Sequence, residues 1–167
     1  MKCFTEGKLT FKFESDDSSQ YDNWSFYRNQ FNSAFGGTKA IDFISIDSNH
    51  TWLIEVKDYR YDRRTKPSDL ADEVAIKVRD TLAGLVAAQS NANNKNEKRL
   101  ASLAVRKPLK VVLHLEQPET GSRVLPRIAE PSNLTIKLKQ LLKAVDAHPK
   151  VTHQYCLAHN MAWIVSG

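Results

Sequence analysis

Lys39-Ala40-Ile41-Asp42-Phe43-Ile44-Ser45-Ile46-Asp47-Ser48-Asn49-His50-Thr51-Trp52-Leu53-Ile54-Glu55-Val56-Lys57-Asp58 is the stretch that decides the fold. It opens as a run of alternating apolar residues, breaks at the polar Asp47-Ser48-Asn49-His50, and resumes at Thr51. Two period-two segments around a short polar turn predict an antiparallel hairpin. A loop of two residues (Ser48-Asn49) or four (Asp47 to His50) sets Asp42 directly opposite Glu55, with Lys57 further along the same face. A loop of three or five would break that register. Cβ atoms of a directly opposed pair lie roughly 4.5–5.5 Å apart, and like charges facing each other there destabilise a sheet. Two opposed carboxylates in an apolar hairpin therefore call for a cation. A hard divalent ion such as Mg²⁺ fits, because it takes oxygen ligands and keeps several waters. The competing reading is a solvated face on which Glu55 and Lys57 are ordinary surface residues. Against it, Ala40, Ile44, Ile46 and Leu53 share the parity of the carboxylates and make that face mostly apolar.

Ile41-Asp42 followed by Glu55-Val56-Lys57 resembles the motif of the PD-(D/E)XK nuclease superfamily, the restriction-endonuclease-like fold that includes Holliday-junction resolvases. The resemblance covers mainly residues 20–115, and Ile41 stands where the family has its proline. It implies that Asp42, Glu55 and the Val56 carbonyl hold a metal ion, Mg²⁺ with Mn²⁺ as an alternative. It also implies that Lys57 is the catalytic lysine, assisting the attacking water. In the family a helix before the hairpin often supplies another Glu. Here that segment has no carboxylate after Asp22, so an acid near the preceding strand is expected to substitute, Glu14 ahead of Glu6.

The chain's bulk properties suit this reading without demanding it. A length of 167 residues is expected to form one domain with a real core. Hydrophobic residues at 41% and charged residues at 26% are those of a globular protein. A formal charge of +5 and a pI near 9.2 favour an anionic partner, with nucleic acid the natural candidate. Cys3 and Cys156 make no disulfide framework, which suggests a reducing cytoplasm. No apolar run approaches the ~20 residues a bilayer requires, and Met1 to Gly7 has no signal-peptide core. No P-loop, G-x-S-x-G, H-E-x-x-H or zinc spacing is present.

Outward from the hairpin, Lys8 to Glu14 alternates as a strand, and the polar run Ser15 to Gln20 precedes a helix. Trp24, Tyr27, Phe31, Ala34 and Phe35 recur at helical spacing up to Gly36-Gly37, an aromatic stripe read as core packing. Downstream, Tyr59 and Tyr61 alternate with Arg60, Arg63, Arg64 and Lys66. Such a loop suits a phosphate backbone, and a solvated charged loop is the alternative. Pro67-Ser68 opens the longest helix, to about Gln89 or Asn91, with Leu70, Val74, Val78, Thr81, Leu82 and Leu85 on one face. Glu73, Lys77, Asp80 and Gly84 border that face. Lys77 either overlooks the metal, orienting water or phosphate, or pairs with Glu73 at i,i+4.

A basic stretch, Asn91 to Lys110, holds a short helix from Glu97 to Val105 and a second candidate backbone contact. Lys110 to Glu116 reads as a central strand, in the position the resemblance assigns to its fourth core strand. A loop from Gln117 to Pro131 leads to a helix through about Val145. Tyr155 to Leu157 and Met161 to Val165 read as two final strands. His114, His153 and His159 lack metal-ligand spacing and are given no chemistry.

The order predicts one α/β domain, a mixed β-sheet flanked by helices. The leading expectation is a Mg²⁺-dependent endonuclease acting on nucleic acid, DNA ahead of RNA, with Arg60, Arg63, Arg64, Lys66 and Lys77 as binding residues. The alternative is an inactive nuclease-like module that binds DNA or protein. The resemblance leaves a homodimer open, since a duplex has two strands to cut, although no dimerisation signal is visible.

Overall fold

The computed structural model describes residues 1–167. Its centre is the hairpin: β4 (Phe43–Ile46) and β5 (Thr51–Asp58) pair antiparallel, with Ile44 opposite Leu53 and Ile46 opposite Thr51. The loop is the four-residue one. Asp47 builds it, its Oδ1 accepting the Asn49 and His50 N–H groups at 2.7 Å and its Oδ2 the Trp52 indole N–H at 2.6 Å. A short aspartate that hydrogen-bonds the backbone two residues on is the usual way such a turn is fixed.

The chain is mixed α/β, with a five-stranded mixed sheet flanked by helices on one face. Before the hairpin comes β3 (Ser18–Gln20), antiparallel to β4; after it, β6 (Leu109–Glu116) and β7 (Lys150–Thr152) run parallel to β5, giving the order β3-β4-β5-β6-β7. Parallel neighbours need a crossover. Between β5 and β6 it is made by α1 (Leu70–Asn91) and α2 (Lys95–Ala104), and between β6 and β7 by α3 (Pro131–Leu142). Asp69 caps α1, its Oδ1 accepting the Ala71 and Asp72 N–H groups, and Asn94 caps α2 in the same way. The expected apolar face of α1 is the buried one: Leu70, Val74, Val78, Thr81 and Leu85 are all enclosed.

A second sheet is present that the sequence reading did not separate. It consists of β1 (Lys2–Glu6), β2 (Leu9–Phe13) and β8 (Trp163–Ser166), all antiparallel in the order β1-β2-β8. Leu9, Phe11, Phe13 and Trp163 pack against Phe43, Trp52, Ile54, Val56 and Val112, on the face of the large sheet turned away from the helices. The other core lies between the large sheet and the helices and takes Ile44, Leu53, Val111 and Leu113. Alternate residues of β5 thus enter different cores, which is why the strand is apolar almost throughout.

Three local expectations are corrected. The Trp24–Phe35 segment is not one helix. It is a 3₁₀ turn at Tyr21–Asn23, a short helix whose π-type part spans Tyr27–Phe31, and a second turn at Ala34–Gly36, where Phe35 has φ 55°. Trp24, Phe26 and Phe31 pack in the core and Tyr27 against it, whereas Phe35, expected in the same stripe, lies in the positive-φ turn and is 88% exposed; Glu97 of α2 supplies the cap by accepting the Ser25 and Phe26 N–H groups. The late strand lies at Lys150–Thr152 and not at Tyr155–Leu157. Tyr155 is largely exposed, and the apolar look of that tripeptide finds no neighbouring strand to pair with. Within the polar run Ser15 to Gln20 that precedes the aromatic segment, Ser18–Gln20 is the edge strand β3.

Candidate active site

Asp42 sits one residue before β4 and extends its ladder: its carbonyl accepts the Tyr21 N–H at 2.8 Å. Continuing the observed register places it opposite Glu55. Both carboxylates are enclosed, Glu55 at 1% exposure and Asp42 at 7%. Asp42 Oδ2 accepts the Val56 N–H at 2.6 Å. Val56, whose carbonyl the resemblance implies as a ligand, thus lies beside the carboxylate pair.

Two ammonium groups hold Glu55. Lys77 Nζ lies 2.5 Å and Lys57 Nζ 2.6 Å from the same oxygen, Oε1. Lys77 also reaches to 3.9 Å from Asp42 Oδ1, so one cation bridges the opposed acids. The second oxygen of Glu55, Oε2, is buried with no hydrogen-bond partner. Burial, and next the Glu55 charge, push the Asp42 carboxyl up to about 8, with Lys77 and the Val56 N–H pulling the other way.

Two further acids complete the group. Glu6, at the end of β1, and Asp22, in the turn after β3, bring carboxylate oxygens within 4.8 Å of each other and of Asp42. Gln20 Nε2 holds Glu6 at 3.0 Å, while Asp22 Oδ1 is buried without a partner. Burial raises both carboxyls; Glu6 is pushed further by Asp22, whereas Lys77 partly offsets the rise at Asp22. Glu14 is exposed beyond the opposite end of β2 and is not part of this group. Glu6 follows from the β1–β2 hairpin, whose turn at Gly7 takes φ 58°, a conformation glycine adopts without strain. The Glu6-Gly7-Lys8-Leu9 sequence carried that signal.

The border of α1 faces this site. Lys77 reaches the acids, and Glu73 accepts from Lys57 at 3.3 Å, Arg64 at 3.1 Å and Lys66 at 3.1 Å. Lys77 and Glu73 each bind the site rather than one another. Arg60 is committed elsewhere: it grips Asp58 through Nε and Nη2 at 2.9 and 2.8 Å, and its Nη1 donates to the Gly167 carbonyl. Arg63 is exposed and has no partner. His114 is buried in the small-sheet core with its Nε2 at 2.9 Å from Glu116, a structural pair. A cleft of about 400 Å³ opens where β5, β6 and β7 end, lined by Arg60, Glu116, Arg127, His153 and Tyr155 among others.

Four carboxylates and two lysines meet here, and the oxygens of Glu6, Asp22 and Asp42 lie close enough together to share a hard cation. Comparison with known proteins gives a partial likeness. The chain is 32% identical over 167 residues to a cysteine–tRNA ligase of Neisseria meningitidis, an alignment taking in 80% of this chain and 24% of the ligase. It thus spans about a quarter of that relative's length. No protein-family profile matches the chain, and no solved structure matches it. No helix is long and apolar enough to cross a membrane.

Proposed function

We propose that the chain is a metal-dependent nuclease of the PD-(D/E)XK type, hydrolysing phosphodiester bonds in nucleic acid. The observation that carries this reading is the pair Asp42 and Glu55, buried on adjacent strands and bridged by Lys77, with Lys57 on the same Glu55 oxygen. The residues present fit a divalent cation. Carboxylate oxygens of Glu6, Asp22 and Asp42 lie close enough to share one, and beside them Glu55 Oε2 and Asp22 Oδ1 are buried without partners. Asp42 and Glu55 would hold Mg²⁺ or Mn²⁺, and Glu6 and Asp22 widen the acidic wall beside Asp42. Such an ion polarises a phosphoryl oxygen and acidifies a bound water.

The chain's own groups would do the rest. Lys57, kept charged by Glu55 and Glu73 against the pull of burial, is a hydrogen-bond donor for a water or for charge growing on the phosphorane oxygens. Lys77 fixes Glu55 and screens the repulsion between the opposed acids. Arg63, unpartnered and exposed, together with Arg64 and Lys66, offers contacts to the strand on either side. The partial likeness to a tRNA ligase brings RNA into the test beside DNA.

The experiment is cleavage of plasmid DNA, branched DNA and transfer RNA with Mg²⁺ or Mn²⁺, by the wild-type protein and by Asp42→Asn, Glu55→Gln and Lys57→Ala. Cleavage that needs metal and falls at least about a hundredfold in each variant is expected, the usual scale of losing a charge-stabilising group. Metal-dependent cleavage that survives these substitutions would refute the assignment. Metal-independent, salt-sensitive binding without cleavage would make the chain a nuclease-like binding module.

A further inference from the structure

We infer that Lys57, Arg64 and Lys66 form a seat for one backbone phosphate, and that Glu73 fills this seat in the free protein and must swing out for nucleic acid to enter. The inference deepens the proposed function and rests on it for the identity of the anion. One carboxylate gathers three cations from different places: Lys57 on β5, Arg64 and Lys66 in the loop that follows. Glu73 Oε1 takes Lys57 and Lys66, and Oε2 takes the Arg64 guanidinium. A phosphodiester presents the same pattern, a single negative charge shared by two terminal oxygens, and the Arg64 Nη2 that meets Glu73 suits either anion.

Lys57 has a second anchor: it lies 2.6 Å from Glu55 and 3.3 Å from Glu73, so it keeps a partner when the glutamate leaves. The seat also has other anchors that survive departure of the glutamate: Arg64 donates to the Tyr59 hydroxyl at 2.8 Å and to the Ser68 carbonyl at 2.7 Å. Glu73 itself lies in the first turn of α1, where a carboxylate turned outward keeps the favour of the helix dipole. Lys66, the most exposed of the three, marks the open side through which a strand would come.

The test is metal-free binding of short fluorescent duplex and single-stranded oligonucleotides, followed by anisotropy over a salt series, so that cleavage plays no part. Glu73→Gln is expected to bind about tenfold tighter at low salt, with the slope of log affinity against log salt little changed, because the same phosphate contact forms in both proteins once the glutamate has left. Asp72→Asn removes the same charge from the same turn but outside the seat, and is expected to change affinity little. Lys66→Ala, a surface change that leaves the core intact, is expected to weaken binding in the wild-type background and to cancel the gain of Glu73→Gln. Binding by Glu73→Gln no tighter than by Asp72→Asn, or no binding by any form, would overturn the inference. Tighter binding without cleavage by any metal-loaded form would keep the seat and remove the nuclease. Wild-type cleavage with unchanged Glu73→Gln affinity would do the reverse.

Discussion

Replacing Asp42 by Asn should stabilise the metal-free protein, and by an amount that depends on pH in a defined sense. The carboxyl is ordinary in the unfolded chain, at 3.8, and pushed up to about 8 in the folded one, first by burial and then by Glu55. Below about pH 4 it is protonated in both states and imposes no penalty. Between that point and pH 8 the unfolded chain gives up its proton while the folded chain keeps it. The folded state then binds more protons, and stability falls as pH rises. Above about pH 8 both are ionised and the loss is constant. At 1.36 kcal/mol for each tenfold change in proton affinity, the full difference is about 6 kcal/mol. That figure is a ceiling, because Glu55, Lys77 and entering water rearrange around the charge. A realised difference of about 2–3 kcal/mol is at the upper end of ordinary single substitutions. Asparagine keeps an oxygen for the Val56 N–H and removes the charge facing Glu55. Urea unfolding in EDTA at intervals from pH 4 to pH 9 measures the effect. Asp42→Asn is expected to match the wild type near pH 4 and to exceed it increasingly up to about pH 8. Parallel pH profiles for the two proteins would refute the claim that this carboxyl is held neutral by its surroundings.

Other outcomes follow from the same geometry. Because a cation binds the ionised carboxylate, Mg²⁺ or Mn²⁺ affinity should rise with pH up to about 8 and binding should release close to one proton below it, measurable by calorimetry in buffers of different ionisation heat. Gly84→Ala should destabilise by about 1–3 kcal/mol although alanine is the better helix former, because its Cβ meets the Tyr21 hydroxyl and comes to 3.2 Å from the Phe31 ring; thermal unfolding reads it. Glu97→Ala should cost about 1–3 kcal/mol, since the buried Phe26 N–H and the part-buried Ser25 N–H lose their acceptor. A loss below about 0.5 kcal/mol would mean that water replaces the cap.

The hairpin and its facing acids were legible because period-two patterning fixes strand faces, and a one-residue slip would have moved Ile44 and Leu53 from the helix-side core to the one under the small sheet. The face of α1 was legible for the same reason at helical period. The aromatic segment before the hairpin was not. Trp24, Tyr27 and Phe31 mark burial at helical spacing, but backbone regularity there is overruled by Gly36, Gly37 and the cap from Glu97, a residue far off in sequence. Glu6 ranked behind Glu14, and Asp22 was given no role, by the same non-locality: each becomes part of the site through strand pairings, β1 with β2 and β3 with β4. Among the cations, charge alone could not distinguish Arg60, spent on Asp58, from Arg63, which is free.

Glu6 rides on a hairpin whose third strand is Trp163–Ser166, far along the chain. Two strands by themselves are marginal in water. The closing strand follows the hairpin only after every strand and helix of the large sheet, so during synthesis the hairpin waits for it. The acidic wall is therefore finished late, and a molecule without β8 carries the motif residues of the central strands without the full set of acids around them.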